Sequence, residues 1–427
     1  MLLVIIAFMT LLFTGMPVAF AIGIAGALFF PQHLELPLTI PVQLTVTQTQ
    51  NFALLAIPMF IAAGNLMNET GITDRLLKLA SVLTGHMRGG LAQVVVVLEL
   101  LLGGVTGSCI ADASMQARML GPEMIKRGYG KGFISAIIAN ASLITIMIPP
   151  GIGVILYGTV GNISIGRLFA AGIIPGLMMT VTLMMAVSYF AKKRGYLPER
   201  EKRASAGEIF KASLSGIWAL LFPVMLLVCL RFGIFTPSEV GSFAAVYAIA
   251  VGLLAYRELT WQNFKRALEG SVVDTGGVMF LIALSAIFSY GIVWERLPEV
   301  ISNFMLGISS SPTVILLVII AVLLVAGMFV DGAVLILMLT PIFLPVALKL
   351  GLDPVHFGII FVLAITIGNV TPPVGSAMYA VCTILDVSVE EFIRDAILFI
   401  LAIAVVNVLI IWLPQTVLWL PDLIFGK

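Results

Sequence analysis

Charge is scarce in this 427-residue chain. Asp, Glu, Lys and Arg make up 11% of it, against 60% hydrophobic residues and a mean hydropathy of +1.13. A soluble domain carries roughly 25% charged residues, so the composition is that of an integral membrane protein. The net charge of +1 leaves no basic surface for nucleic acid. Only three cysteines occur, Cys109, Cys229 and Cys382, scattered among apolar residues, and neither a disulfide nor a metal cluster is expected. No Ser/His/Asp, HExxH or P-loop pattern is present, so nothing supports an enzyme such as an intramembrane protease, or an ATP-driven pump. The first apolar run, Met1 to Phe13, lacks a basic leader and a small-residue cleavage site before Gly15 and Pro17, and reads as a retained helix rather than a secretory signal. Long polar stretches are also missing. The longest, Lys192 to Lys211, is too short to fold alone.

What the chain does have is a polar pattern stated twice. Gly104, Ser108, Pro122, Gly128, Pro149 and Pro150 are matched by Gly327, Asp331, Pro345, Gly351, Pro372 and Pro373, each 223 positions later. Both copies place a Gly-rich break, then a Pro-Pro break, inside apolar segments approaching the ~20 residues of a membrane span. The expected fold is an all-α membrane protein of two repeats, 1–191 and 213–427, joined by a charged linker, 192–212, that carries Pro198. In the first repeat, apolar segments at about 2–14, 17–30 and 50–67 precede an amphipathic surface stretch, Ile72 to Arg88. A hairpin at about 91–124, a broken helix at about 133–160 and a span at about 168–190 follow. The second repeat gives spans at about 214–232, 238–256 and 272–290, and a surface stretch, Arg296 to Leu306. Its hairpin lies at about 313–348, its broken helix at about 355–385 and its last span at about 392–413.

Each Gly-rich break is either the turn of a re-entrant hairpin or an aqueous loop between two full spans. Arms of about 12–16 residues, without charged flanks, favour the hairpin. If the hairpins do not cross, each repeat crosses five times and the two are inverted. One face then receives 18 of the basic residues, among them Arg75, Lys126, Lys192 and Arg266. The other receives five: Arg167, Arg231, Arg296, Lys349 and Lys427. The positive-inside rule makes the first face cytoplasmic and puts both termini outside. Hairpin one then enters from the cytoplasm and hairpin two from the opposite face. The net acidic stretch Asp386 to Asp395 falls on the cytoplasmic side, where acids carry little topological weight.

Paired interrupted segments in two halves of a membrane protein point to a substrate and ion site. Carbonyls freed by a helix break need partners that lipid cannot supply, and a hard cation such as Na⁺ accepts carbonyl and hydroxyl oxygens. Opposed helix N-termini offer N–H groups to an anion. The candidate cation ligands in the first half are Gly103, Thr106, Gly107 and Ser108, with Thr145, Pro149 and Gly151 flanking the facing break. In the second half they are Gly327, Asp331 and Gly332, with Gly368, Asn369, Thr371, Pro372 and Gly375. Each repeat supplies both pieces, so two related Na⁺ sites around one substrate are expected. Ser108, Asp112, Pro150, Gly151, Thr371 and Pro373 are the candidate substrate contacts. For each residue, close packing by Gly, or a Ser/Thr bond back to its own helix, is the competing reading.

An intramembrane carboxylate costs roughly 2.5–3.5 kcal/mol, so Asp112 and Asp331 should face a polar interior. Asp331 occupies the register of Ser108 and reads as a cation ligand or a helix cap. Asp112 orients the first tip, contacts substrate, or is a buried acid satisfied by backbone N–H groups or Arg118. Glu99 lies mid-arm as a lone hydrogen-bonded carboxyl and is not assigned to the site. His356, matched by Phe133, reads as structural, and the run Met178 to Met185 as apolar packing.

Several short motifs, in order, resemble the large membrane subunit of tripartite ATP-independent periplasmic (TRAP) transporters, the DctM family. They are Ala56-Ile57-Pro58 with Ala63-Gly64-Asn65, Thr106-Gly107-Ser108, Ile148-Pro149-Pro150, Ile234 to Glu239 (IFTPSE), Asp353 to Gly358 (DPVHFG) and Pro372 to Gly375 (PPVG). The resemblance covers essentially the whole chain. It implies a Na⁺-coupled importer of elevator type in the bacterial inner membrane, with hairpins and broken helices as a mobile domain against a scaffold. It also implies two partners, a small four-helix membrane subunit on a separate chain and a periplasmic substrate-binding protein. The substrate it implies is a carboxylate, either a C4-dicarboxylate or a sugar acid such as sialic acid. Dicarboxylate members carry an acid and a histidine near the second Pro-Pro break, where this chain has Thr366 or Ile367 and Thr371. That departure favours a monocarboxylate sugar acid. A stand-alone Na⁺/dicarboxylate carrier of similar architecture, or a channel with re-entrant filters, are the alternatives.

Overall fold

The computed structural model describes residues 1–50, 52–309 and 311–426. Asn51, within the expected segment 50–67, and Lys427, counted among the outer basic residues, lie outside the described residues. All regular structure among the described residues is helical. Five helices are long and apolar enough to cross a membrane: Ile165–Arg194, Pro237–Ala255, Trp261–Trp294, Gly332–Lys349 and Val389–Trp412. Two bent pairs raise this to seven, Lys131–Met147 with Ile152–Gly161 at 42° and Ala206–Ser215 with Ile217–Arg231 at 65°.

Several motifs that stand out in the sequence turn out to be helix ends. Thr236 caps Pro237–Ala250, and Glu239 reaches back to the Thr236 N–H at 2.8 Å, a capping box with Pro at the first helical position. Asp353 caps Pro354–Gly368 by accepting the N–H groups of Val355 and His356 at 2.8 and 3.1 Å. His356 bonds through Nε2 to the Ile410 carbonyl at 2.8 Å, tying that helix to Val389–Trp412. The Ala63-Gly64-Asn65 motif joins elements instead. Asn65 donates to Asp274 at 3.0 Å across to Trp261–Trp294. A Cβ on Gly64 would press on the backbone of Val105 and Thr106.

Three boundaries differ from the sequence expectation. The segment expected at 272–290 is the first: it is a 34-residue helix, Trp261–Trp294, about 51 Å long. Its polar first turns lie outside the hydropathy window, and Thr260 caps it at Asn263. At the positions 223 residues earlier, the first half of the chain has two helices, Ile40–Thr49 and Ala56–Asn68, parted around Phe52–Leu55. Ile40–Thr49 was not expected, because its Gln- and Thr-rich sequence has neither a helical stripe nor a membrane-like run. Last, helix Ile165–Arg194 runs to Arg194 and the next begins at Ala206, so irregular chain between the halves is confined to 195–205. A further helix, Gln415–Phe425, follows the last span and is held by Arg167 to Asp422 at 2.7 Å.

The halves interlock by exchange. Val18–Ala27 packs on Trp261–Trp294 of the other half, and Pro237–Ala250 packs on Ala56–Asn68, which occupies the matching place in the first half. Gly241 allows the second contact, since a Cβ there would meet Met59 and the Ala56 carbonyl. Lys131–Ala141 packs on Val389–Trp412, with Phe133, Phe190 and Phe399 clustered between them. At the end of that interface, Arg194 forms a two-pronged ion pair with the buried Asp395.

On the surface, Arg75 of helix Ile72–Thr84 pairs with Glu258 at 2.6 Å and lies 3.9 Å over the Tyr256 ring. The guanidinium holds the Glu258 carboxyl below its ordinary range. A depressed carboxylate pKa gives stability that is present above the unfolded value and lost as pH falls through the folded one. Glu258 is nearly half exposed, so solvent screening limits the pair to about 0.5 kcal/mol. Glu258→Gln should therefore lower the melting temperature slightly at pH 7, with the gap closing below about pH 4.5. A thermal-shift series in detergent across pH checks this; a gap independent of pH would show that the carboxylate charge is not involved.

Candidate functional site

Each expected hairpin is a pair of helices, and the first of these pairs is Gly90–Gly103 and Cys109–Met119 joined by Gly104 to Ser108. Val105 and Thr106 donate their N–H groups to Leu102 and close the first helix, and Gly107 turns the chain at φ +67°. Hairpin two consists of Pro312–Gly327 and Gly332–Lys349. Its second arm has 18 residues rather than the expected 16 or fewer, because the apolar run stays helical through Pro341 and Pro345 up to Gly351 at φ +72°. The first break lies between Leu143–Met147 and Ile152–Gly161, the second between Pro354–Gly368 and Ser376–Leu385. Pro149-Pro150 and Pro372-Pro373 are both cis.

Each tip meets the break of its own half through backbone. Ile152 donates its N–H to the Gly107 carbonyl at 3.3 Å. In the second half, Val374 and Gly375 donate to the Met328 carbonyl at 3.0 and 3.3 Å. Glycine makes the approach possible. A Cβ on Gly103 would strike Ile148 and Thr145, and one on Gly107 the Pro150 carbonyl. Gly327 and Gly368 touch backbone to backbone, and a Cβ on either would overlap the other's chain. The expected first-half group of Gly103, Thr106, Gly107, Ser108, Thr145, Pro149, Pro150 and Gly151 is thus brought together around one junction. Gly327, Asp331, Gly332, Gly368, Asn369, Thr371, Pro372, Pro373 and Gly375 surround the other.

The two junctions also meet. Cys109–Met119 of hairpin one packs on Ser376–Leu385 beyond the second break, and Gly332–Lys349 of hairpin two packs on Ile152–Gly161 beyond the first. Asn369 sits at this crossing. Its Nδ2 approaches the Cys109 sulfur at 3.9 Å, its side chain covers Gly332, and its carbonyl accepts from Ala377 and Met378. Its Oδ1 is buried without a partner.

The polar side chains fall into distinct roles. Asp331 caps Gly332–Lys349, accepting the Ala333 N–H at 2.9 Å. Ser108 occupies the same position at the start of Cys109–Met119 but makes no capping bond. Asp112 is buried and accepts from the Thr106 hydroxyl at 2.5 Å, while its other oxygen has no partner. Among the described residues Asp112 forms no ion pair with Arg118, and the tip hydroxyl is the partner of one of its two oxygens. Thr371 bonds back to the Ile367 carbonyl at 2.8 Å, the plain structural use of a helical threonine. Pro150 and Gly151 are buried, whereas their counterparts Pro373 and Val374 are exposed.

Glu99 belongs to this cluster although the sequence reading left it out. It is fully buried, and the Thr145 hydroxyl donates to it at 2.8 Å; its second oxygen is unpartnered. Thr145 thus ties the first break to the first arm of hairpin one, as Thr106 ties the tip to the second arm. The sequence signal was available: an acid in the middle of an apolar arm, 13 positions before Asp112, has to find a partner inside. Apart from the Cys109 sulfur, which Asn369 Nδ2 already faces, the acceptor atoms gathered here are oxygens of hydroxyl, carboxylate, amide and backbone, the kind of ligand a hard cation takes.

The chain matches, over residues 5–416, the family model described as the DctM component of the tripartite ATP-independent periplasmic transporter. It belongs to that family. The sialic acid TRAP transporter large permease SiaM of Vibrio cholerae is 35% identical over 97% of this chain and 97% of its own. The 2,3-diketo-L-gulonate TRAP transporter large permease YiaN of Escherichia coli is 33% identical over 95% of each. Among solved structures, the YdaH transporter of Alcanivorax borkumensis superimposes with a TM-score of 0.61 over 87% of this chain and 88% of its own. At 13% identity that likeness speaks for the fold alone. This chain is therefore a TRAP-family large permease and not an enzyme, and its short motifs are caps and junctions of the permease fold.

The junction makes a steric prediction. Gly368→Ala should cost at least ~1–3 kcal/mol of overpacking, or prevent folding, because the Cβ meets Gly327 backbone that cannot give way. Gly276→Ala and Gly277→Ala, where a Cβ meets nothing within 4 Å, should each be neutral or stabilise by up to ~1 kcal/mol. Melting temperatures from detergent-solubilised variants decide it; equal effects at all three positions would remove the Gly327–Gly368 contact as a constraint.

Proposed function

We propose that this large permease is a Na⁺-coupled secondary importer of a carboxylate, working by an elevator motion of its hairpins and broken helices. The observation that carries the reading is the duplicated junction. In each half a hairpin-tip carbonyl accepts N–H groups from the facing break, and the two junctions touch at Asn369. Paired discontinuous helices of this kind, related across two halves, are the usual home of a transporter's substrate and ion. The reading takes the halves as inverted repeats with re-entrant hairpins, and both termini as periplasmic, on the charge asymmetry argued above.

Na⁺ fits the donor set: unpartnered buried oxygens on Asp112, Glu99 and Asn369, together with the tip and break carbonyls. When bound, the ion would supply positive charge beside a carboxylate substrate. What the chain itself contributes is the frame: glycines that let backbone approach, and the Thr106 and Thr145 hydroxyls that hold the two acids in place. The exposed Pro373 and Val374 and the half-buried Thr371 and Ser108 would meet substrate first.

Two of the relatives support a sugar acid, while others of similar identity are named for isethionate and for C4-dicarboxylates. SiaM is named for sialic acid and YiaN for diketogulonate, both acids built on sugars, at nearly the same identity to this chain. A neutral Thr371 at the second break, rather than a histidine, supports the same class. The remaining parts of the tripartite system would be a small membrane subunit and a periplasmic binding protein that delivers the ligand.

Reconstitution tests this. Proteoliposomes holding the permease and its small subunit should accumulate substrate only with Na⁺ outside and the binding protein present, without response to ATP. Uptake surviving removal of Na⁺ or of the binding protein would overturn the coupling or the partnership. Ser108→Ala and Asp331→Ala should each lower apparent Na⁺ affinity about tenfold, roughly the loss of one charge-assisted contact. Asp331→Asn separates the two roles, since Asn caps a helix as well as Asp. If Asn restores Na⁺ affinity, Asp331 acts only as the cap; if it does not, its charge reaches the ion.

A further inference from the structure

An apolar groove lies away from the junctions, between the first helix, Leu2–Phe13, and hairpin two. It measures about 740 Å³, within the roughly 300–1,000 Å³ of sites that bury small ligands. One wall is a single row on the first helix, Ile5, Met9 and Phe13, spaced so that they stand above one another. The opposite wall is Val322, Val325 and Phe329 of hairpin two. These rows flank an open side: Phe13 is 72% and Val325 56% exposed. Phe13 and Phe329 close the far end, ring edge to ring face, with centroids 6.3 Å apart.

We propose that this groove holds one acyl chain of a membrane phospholipid with a zwitterionic head group. Its walls are almost wholly apolar, which excludes a carboxylate substrate, for whose head they offer no partner. Its depth fits one leaflet. The 12-residue helix that forms one wall is about 18 Å long, against about 15 Å for half of a ~30 Å hydrocarbon core. At the Met1 end of the groove the terminal ammonium pairs with Glu295 at 3.3 Å. Next to it stand Arg296 and Glu299, both exposed and without an ion pair among the described residues. A phosphate on Arg296 and an ammonium on Glu299 would satisfy both, whereas a free fatty acid or an anionic lipid leaves Glu299 unmatched. This proposal does not depend on the transport reading.

The test is photolabelling of the full chain in nanodiscs that contain phosphatidylethanolamine with a diazirine near the end of one acyl chain. Labels should fall on Ile5 to Phe13 and Val322 to Phe329, about tenfold above the exposed residues Val246 and Leu254 elsewhere on the surface. Ala321→Trp and Val325→Trp, which fill the groove from its open side, should each reduce that labelling about tenfold while the protein remains monodisperse. Arg296→Ala with Glu299→Ala should weaken it, and a diazirine-labelled free fatty acid should label the groove less than the phospholipid. Labels spread evenly over the apolar surface, or unchanged by both filling variants, would overturn the site. Equal labelling by the fatty acid would overturn the head-group assignment.

Discussion

The constraint on which this structure depends is that backbone polar groups in an apolar medium must be satisfied by the protein itself. Both halves break helices deep within apolar surroundings, and both do so with consecutive prolines, which remove two N–H donors each. The freed groups are not left to water. Hairpin tips bring carbonyls to the N–H groups beyond the breaks, and Asn369 lends its own carbonyl to Ala377 and Met378. These exchanges demand close approach, and close approach demands glycine at Gly103, Gly107, Gly327 and Gly368. The Gly and Pro spacing is thus one device seen from two sides: proline creates the unpaired groups and glycine admits the chain that pairs with most of them.

The pairing is incomplete where it matters most. One oxygen each of Glu99, Asp112 and Asn369 remains buried without a partner, all three close to the junctions. Buried polar atoms are nearly always bonded, and a carboxylate kept in a membrane-embedded interior normally has a counter-charge. No basic residue pairs with Glu99 or Asp112 among the described residues. A cluster of unsatisfied oxygens therefore asks for a cation, which is the physical ground for reading the junction as an ion site.

Much of this was legible in the sequence because glycine and proline act locally: their positions mark breaks whatever the surroundings. The 223-residue offset carried over to Ile152 and Gly375, which do equivalent work at the two junctions. What could not be read is how the halves interlock. That Cys109–Met119 lies on Ser376–Leu385, or that Thr145 answers Glu99, depends on contacts between distant segments with no periodic signature. Hydropathy also misplaces helix ends. Trp261–Trp294 continues well past its apolar part, because a capped helix does not stop where the lipid does. Ile40–Thr49 is a helix in which Thr45 bonds back to its own turn, and its composition resembles a loop.

The departures from symmetry carry the remaining information. Thr106 and Asp112 form a closed pair in the first half, and the second half has no equivalent of it: Phe329 stands in the place of Thr106 and Leu335 in that of Asp112. The second junction compensates with Asp331, but uses that carboxylate to cap its own helix. Pro150 is buried where Pro373 is exposed. The first junction therefore encloses two acids, whereas the second holds one, engaged in capping its helix, beside an exposed break. An anionic substrate would be repelled by the enclosed acids unless a cation neutralised them first, and would meet no such barrier at the open break. On the proposed reading, an ion bound at the first junction would favour an anion bound between the two, so that coupling of the one to the other would need no contact beyond the charges already in place.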